Sequence, residues 1–125
     1  MEHVDLSYLF KIADGNHQFV NEVINSFIEL TPRYVQEVRH QCEAKNWLGL
    51  QASAHRFKSA VKYFGLNEMA QIIETIEENA TETADRQNLL ELIASMNANY
   101  TAAINELKSK LNNFDLQQQH YEHEA

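Results

Sequence analysis

The stretch that decides the fold is residues 54–65, AHRFKSAVKYFG. With the turn before it, this stretch places apolar side chains at the three-and-four spacing that buries one face of a helix. Asn46 suits the N-cap position, and Gly65 suits the left-handed position that follows a last turn. The pattern predicts a helix over about residues 47–64, with a buried stripe formed by Leu50, Ala54, Phe57, Val61 and Phe64.

His55 lies on the opposite side of this predicted helix. Its neighbours on the outward strip are Gln51, Lys58, Ser59 and Lys62, because side chains three or four positions apart meet on a helix surface. The strip is therefore expected to present an imidazole to solvent beside two ammonium groups. A lone histidine on a helix surface is most often simply solvated, so its neighbours decide the interpretation.

The rest of the chain also has helical spacing, with no alternation typical of strands. We expect a short helix over about 5–13, a long one over about 17–45, a third over about 67–79 and a last one ending near 112. Pro32 lacks the amide that would bond back to Ile28, so a kink is expected there, with a full break as the alternative.

These segments predict an all-α protein. Four amphipathic helices with short connections would bury their stripes as an antiparallel up-down-up-down four-helix bundle, with the short N-terminal helix as a lid. The domain is expected to span residues 1–112, and the polar, aperiodic residues 113–125 are expected to form a flexible tail.

Composition limits the possible functions. The 125 residues suit one domain, and a formal charge of −8 disfavours binding to nucleic acid or to an anionic membrane. No apolar run approaches the roughly 20 residues that span a bilayer, and the N-terminus does not resemble a signal peptide. Cys42 is the one cysteine, so an intramolecular disulfide is impossible. We expect a cytoplasmic protein.

The outward strip around His55 suits chemistry on phosphorus. Lys58 and Lys62 would attract a phosphoryl group and hold its oxygens. Ser59 is small enough to let a partner approach, and its hydroxyl could donate to a phosphoryl oxygen. Gln51 could orient the imidazole ring. For Ser59 and Gln51 the alternative is a plain polar residue in solvent, and for Gln51 neither interpretation is favoured.

At these residues the chain resembles the histidine-containing phosphotransfer (HPt) domains of multistep two-component relays. The family motif is Ala-His-x-aliphatic-Lys-Gly, with a further Gly ten positions after the His. Ala54, His55, Lys58 and Gly65 match it in identity and spacing, with Phe57 at the apolar position, and the resemblance covers about residues 4–112. Two positions depart from the pattern: Ser59, where Gly is commonest, and Lys62, where a small residue is frequent.

The resemblance implies a shuttle function. His55 would take a phosphoryl group from a receiver-domain aspartyl phosphate and pass it to another receiver, with receiver domains and a hybrid sensor histidine kinase as partners. The chain would act as a monomer, without an ATP site or an independent catalytic site. It would need no cofactor of its own, because the Mg²⁺ ion belongs to the receiver. The same analogy suggests Leu48, Phe10 and Tyr8 as docking residues, with core packing expected for at least one of them.

Two other interpretations stay open at this point. A metal-binding bundle would need Glu-x-x-His on two helices, and the chain has one such pair, Glu37 and His40; His120 and His123 could chelate a metal only weakly. The stronger alternative is a helical adaptor that binds and sequesters a receiver or kinase without being phosphorylated. Retention of both His55 and Lys58 favours the phosphorylated form.

Overall fold

The structure, a computed structural model, describes the backbone of residues 2–124 and the side chains of residues 2–111. Its described backbone is helical with no strand, which confirms the all-α prediction. Each expected helix is present, with small shifts at its ends except at the C-terminal end of the last one. The five helices are α1 Ser7–Ala13, α2 His17–Glu43, α3 Trp47–Lys62, α4 Asn67–Asn79 and α5 Arg86–Glu124.

Side-chain caps explain where three of the helices begin. The Asn16 side chain accepts a hydrogen bond from the Phe19 amide at 3.0 Å, and Asn46 accepts one from the Gly49 amide at 3.1 Å. Asp85 does the same for the first turn of α5. Each cap gives an acceptor to an amide that has no partner within its own helix, so α3 begins after the predicted Asn46, α2 after Asn16 and α5 after Asp85.

The long helix α2 is continuous through Pro32. The alternative of a full break at Thr31 is therefore wrong, whereas the expected kink stays a prediction. Thr31 is buried, and its hydroxyl hydrogen-bonds to the Phe27 carbonyl and to the Tyr100 hydroxyl. These contacts anchor the turn before the proline to α5, which offsets the backbone hydrogen bond that Pro32 cannot make.

The core is built from the predicted helix stripes. α2 contacts α3, α3 contacts α4, α4 contacts α5, and α5 returns to α2, while α1 packs on α2. The predicted stripe of α3 is confirmed, since each of its members is at most 2% exposed. The other helices contribute their own stripes to the same cluster, including Val20, Ile24, Val38, Met69, Ile73, Ile76, Leu89, Met96 and Leu107.

Gly65 allows the N-terminal segment to cross the end of α3. Its φ of +66° is a conformation that side chains disfavour, and a Cβ there would lie 2.5 Å from the Cβ of Asp5. The Asp5 amide donates to the Phe64 carbonyl at 2.8 Å, and Val4 and Leu6 on either side of it are buried. Gly65 therefore ends α3 as predicted and also makes room for a second backbone.

The C-terminal boundary differs from the prediction. α5 continues to Glu124, so the backbone of 113–124 is helical where an aperiodic tail was expected to begin at residue 113. Polar residues can continue a helix without apolar periodicity, which explains why the pattern did not show it. Side chains after Leu111 lie outside the described residues, and flexibility there stays a prediction. None of the described helices is both long and apolar enough to cross a membrane.

Candidate functional site

His55 lies on the outer face of α3, in its third turn. The neighbours in sequence, Ala54 and Phe57, are completely buried, and they fix the rotation of the helix so that the His55 side chain points outward. That side chain is 63% exposed. The predicted presentation of the imidazole to solvent is therefore found in the structure.

A carboxylate from the neighbouring helix contacts the imidazole. Glu77 of α4 places Oε1 3.1 Å from His55 Nδ1, and its Oε2 accepts a hydrogen bond from Lys58 Nζ at 2.9 Å. One carboxylate thus joins the two motif residues. Within the described part of the chain, His55 Nε2 makes no hydrogen bond.

Glu77 and Lys58 shift each other's pKa. Burial alone would raise the pKa of the Glu77 carboxyl, but the hydrogen bond and charge of Lys58, with a smaller contribution from His55, hold it below its ordinary value. The hydrogen bond to Glu77 in turn raises the pKa of the Lys58 ammonium. Glu77 is therefore ionised at neutral pH and can only accept hydrogen bonds, so Nδ1 of His55 carries the proton that it donates.

Lys58 differs from the sequence interpretation in its exposure. It belongs to the outward strip, but its side chain is only 13% exposed because it lies against α4 and Glu77. The aliphatic part of a lysine can pack while the ammonium keeps a polar partner. Lys58 is thus held next to His55, and its ammonium has donors to spare beyond the one used by Glu77.

Gln51 and Ser59 make other contacts than those expected. The Gln51 amide donates to the carbonyl of Ala80 at 2.8 Å, so it ties α3 to the connection between α4 and α5 and does not orient the ring. The Ser59 hydroxyl donates to the backbone carbonyl of His55 at 3.1 Å, one turn earlier in the same helix. Ser59 remains exposed.

Shallow depressions flank His55 along α3. The first is lined by Leu48, Gln51, Ala52, Arg56, His55 and Glu77, and Leu48 is 79% exposed. The second, toward α1, is lined by Tyr8, Ser59, Lys62 and Tyr63, with the two tyrosine rings 5.6 Å apart. Lys62 is exposed there.

Of the three suggested docking residues, two are exposed. Leu48 and Tyr8 lie at the surface, whereas Phe10 is only partly exposed and packs against the core and the ring of His17. The expectation that at least one would pack in the core is thus confirmed for Phe10. Tyr63 and Arg56 were not predicted as surface residues of this site.

Among the described residues, no group of His, Cys, Asp and Glu side chains could hold a metal ion. Glu37 instead accepts from Arg33 and pairs with Arg56 at 3.7 Å, and His40 is exposed. The side chains of His120 and His123 lie outside the described residues. The described part of the bundle therefore offers no carboxylate and histidine cluster of the kind that the metal alternative needs.

Glu77 is the site residue that sequence reasoning missed. It is one of several acidic residues that lie outside the apolar stripe of α4, and nothing in its spacing singles it out from Glu74 or Glu78. The information that identifies Glu77 is the packing of α3 against α4. These helices lie side by side and bring residue 77 level with residue 55.

Fold and site together define a class of protein, namely a helical domain that carries one exposed histidine held by a carboxylate. A solved structure with the same fold is histidine-containing phosphotransfer protein B (HptB) from Pseudomonas aeruginosa PAO1. It aligns with a TM-score of 0.78 and 18% identity over 89% of this chain and 96% of that one. No curated protein is similar enough in sequence to count as a match.

The Hpt domain family model matches residues 22–114, a range that includes His55 and Glu77. The chain therefore belongs to the Hpt domain family and is a histidine phosphotransfer intermediate of a phosphorelay. Domains of this family interact with receiver domains and kinases.

Proposed function

We propose that His55 accepts a phosphoryl group on Nε2 from the aspartyl phosphate of a receiver domain and passes it to the aspartate of another receiver. The observation that carries this proposal is the state of the ring. The side chain is 63% exposed, and Nδ1 is held by Glu77, which leaves Nε2 with a lone pair and with no hydrogen bond among the described residues. A neutral imidazole with a fixed tautomer is a suitable nucleophile for phosphorus.

Lys58 is proposed to hold the phosphoryl oxygens during transfer. Phosphoryl transfer depends mainly on positioning and on neutralising charge at the equatorial oxygens. The Lys58 ammonium donates one hydrogen bond to Glu77 and has two further donors for the incoming group. The receiver would supply its own acidic pocket and Mg²⁺, so this chain needs no cofactor or ATP site of its own.

The depressions on either side of His55 are proposed as the receiver-docking surface. Leu48 provides an exposed apolar side chain at one end, and Tyr8 and Tyr63 provide amphipathic rings at the other. A docked partner that buries these side chains would gain hydrophobic contact area and would exclude water from the reacting atoms. Lys62 lines the same depression as the tyrosines, where it could steer an acidic receiver surface.

We also propose the up-down-up-down arrangement for α2 to α5. The closed ring of contacts between consecutive helices supports it, as do the short connections, of which the longest runs from residue 80 to 85. A monomeric state and a cytoplasmic location stay predictions.

The test uses the receiver domains of the source organism, each phosphorylated with acetyl phosphate and mixed with the full chain. We expect the chain to gain an acid-labile, base-stable phosphate from at least one receiver, and His55→Gln to gain none. That substitution should change the free energy of unfolding by less than about 0.5 kcal/mol, because the side chain is exposed. His40→Gln, another exposed histidine, is the control and should be labelled normally.

The adaptor alternative gives a different result in this experiment. An adaptor would bind a receiver and form no phosphohistidine, and His55→Gln would bind as well as the wild type. Normal labelling of His55→Gln would place the phosphoacceptor on another residue. Unfolding of this variant, seen as a loss of helical circular dichroism, would make His55 a structural residue.

A further inference from the structure

We infer that Asp5 is a positioning residue for receiver recognition, because its contacts hold Tyr8 of α1 beside Tyr63 at the end of α3. The inference rests on the proposed phosphorelay function and on the proposed docking surface. It concerns binding of the partner and leaves the chemistry at His55 unchanged. Asp5 and Tyr8 both lie before residues 22–114, the range that the Hpt domain model matches.

Asp5 joins the end of α3 to the start of α1. Its backbone amide donates to the Phe64 carbonyl at 2.8 Å, and its carboxylate accepts a hydrogen bond from the Ser7 amide at 2.9 Å. Three residues after Asp5, the ring of Tyr8 lies 5.6 Å from the ring of Tyr63, which precedes Phe64 in the chain. The two contacts of Asp5 therefore set where α1 begins relative to the end of α3.

The first turn of α1 depends on the Asp5 carboxylate. The helix has seven residues, and Leu6 at its N-cap position offers no side-chain acceptor, so Asp5 supplies one to the Ser7 amide. Hydrogen bonding by Ser7 holds the pKa of the Asp5 carboxyl below its ordinary value, and a negative charge favours the start of a helix. A helix this short has little stability of its own. Tyr8 is its second residue, so loss of the cap should loosen the turn that carries the ring.

The chain before Asp5 is anchored to two other helices. The Met69 amide in the first turn of α4 donates to the Glu2 carboxylate at 2.8 Å, and the Val4 amide donates to the Glu106 carboxylate of α5 at 3.1 Å. Val4 itself is buried. Substitution of Asp5 should therefore act on the first turn of α1 and leave the preceding segment in place.

Tyr8 and Tyr63 are suited to contact a receiver. They line one depression with Ser59 and Lys62, and each tyrosine is about half exposed. Tyrosine is common among the residues that dominate binding free energy, and a ring that is already held loses less conformational entropy when a partner covers it. Lys62 adds a positive charge that complements acidic side chains of a receiver. Fixing Tyr8 before the encounter should therefore strengthen receiver binding.

The experiment compares wild type with Asp5→Ala, Asp5→Asn and Asp85→Ala as full-length chains. Alanine removes the acceptor, whereas asparagine keeps a side-chain oxygen that caps a helix equally well. Asp85 is the matched control, because it is also exposed and its carboxylate caps α5, but it does not line the depression. Each chain is titrated with a phosphorylated receiver that labels wild type. Each is also labelled with phosphoramidate, a small P–N donor that needs no docking surface.

The expected change is confined to the receiver arm. In Asp5→Ala the half-saturating receiver concentration should rise about fivefold, the change that roughly 1 kcal/mol of binding free energy produces, with the maximal rate unchanged. Asp5→Asn and Asp85→Ala should stay within about twofold of wild type. Phosphoramidate should label His55 at the same rate in all four chains.

Two further measurements separate positioning from a general structural role. The nuclear Overhauser effect between the rings of Tyr8 and Tyr63 should be present in wild type, Asp5→Asn and Asp85→Ala, and lost in Asp5→Ala. The double variant Asp5→Ala/Tyr8→Ala should raise the half-saturating concentration no further than Tyr8→Ala alone, because Asp5 acts through Tyr8. An Asp5 with a merely structural role would add its effect to that of Tyr8→Ala.

Several results would overturn the inference and leave His55 as the phosphoacceptor. These are an unchanged half-saturating concentration in Asp5→Ala, an equal rise in Asp85→Ala, additive effects in the double variant, and slower labelling of Asp5→Ala by phosphoramidate. Loss of helical circular dichroism beyond what α1 contributes would also overturn it, since Asp5 would then be a residue of the global fold. Wild type that takes no label from any receiver overturns the proposed function, and the inference falls with it.

Discussion

The two faces of α3 differ in what determines them. The inner face is a stripe of apolar side chains that are at most 2% exposed, and it is set by residue spacing within the helix. The outer face carries His55 at 63% exposure, and its contacts are set by Glu77 of the neighbouring helix. One side of α3 therefore stabilises the fold, and the other carries the reactive histidine. A substitution on the inner side should lower stability and spare phosphoryl transfer, and one on the outer side should do the reverse.

The strongest way to break this separation is Phe57→Ala. Phe57 is fully buried, and its ring contacts those of Tyr34 and Tyr100. We expect a loss of about 3–5 kcal/mol in the free energy of unfolding, measured by urea titration with circular dichroism. The molecules that stay folded should still be labelled on His55.

Phe19→Ala is the control for this substitution. Phe19 is 38% exposed, so its replacement should lower the free energy of unfolding much less. A Phe57→Ala chain that is as stable as Phe19→Ala would mean that the inner stripe does not hold the fold. A folded but unlabelled Phe57→Ala chain would mean that the two faces are not separate.

Gly65→Ala tests the end of α3, where a residue of the family motif stabilises the fold and has no part in the chemistry. The left-handed backbone alone should cost about 1–2 kcal/mol for a residue with a side chain. The added Cβ would also meet the Cβ of Asp5, so the N-terminal segment must shift. We expect a total loss of about 2–3 kcal/mol in thermal or urea unfolding.

The matched control is Gly15→Ala, where φ is +85° but no atom lies within 4 Å of the added Cβ. Gly15→Ala should lose only the free energy that the left-handed backbone costs, about 1–2 kcal/mol. Equal losses in the two variants would show that the crossing of Asp5 over Gly65 contributes nothing to stability.

Lys58→Ala on the outer face should destabilise the fold less than Phe57→Ala and Gly65→Ala. The pair with Glu77 is partly exposed, so its loss should cost only about 0.5–1 kcal/mol at pH 7. The lowered pKa of Glu77 means that this contribution is present above its ordinary value of 4.5 and is lost as the pH falls through the folded value. The raised pKa of Lys58 means that it is present below 10.5 and is lost as the pH rises further.

Unfolding of wild type and Lys58→Ala should therefore differ most between about pH 5 and 10, and the two should converge as the pH falls through the folded pKa of Glu77. Phosphoryl transfer from a receiver should be slower in Lys58→Ala at neutral pH, or its phosphohistidine should be shorter-lived. Lys62→Ala, which changes an exposed lysine further along the strip, is the control for charge alone. Transfer and lifetime unchanged in Lys58→Ala would remove this lysine from the mechanism.

Most of the fold could be predicted because its signals are local. Apolar spacing gave the helices, and Asn46 and Gly65 gave both ends of α3, since caps act within one turn of the residues that form them. The continuity of α2 through Pro32 was less predictable, because it depends on the buried contact between Thr31 and Tyr100, far apart in the chain.

The site could be predicted only in part, because some of its contacts join residues that are far apart in the chain. The exposure of His55 follows from the rotation of α3, which its own stripe determines. The partners of Lys58 and Gln51 lie on α4 and at Ala80, and helical spacing within α3 contains no information about which residues of another element stand opposite. Glu77, which joins His55 to Lys58, was therefore beyond what the sequence pattern could indicate.

Trp47 opens α3 and is partly buried against the core, two turns before His55. It is the single tryptophan of the chain and lies about 12 Å along the helix axis from the histidine. Its indole can therefore serve as an intrinsic fluorescent reporter at the edge of the site. Receiver binding could be followed by emission intensity without attaching a dye to the surface that the partner covers.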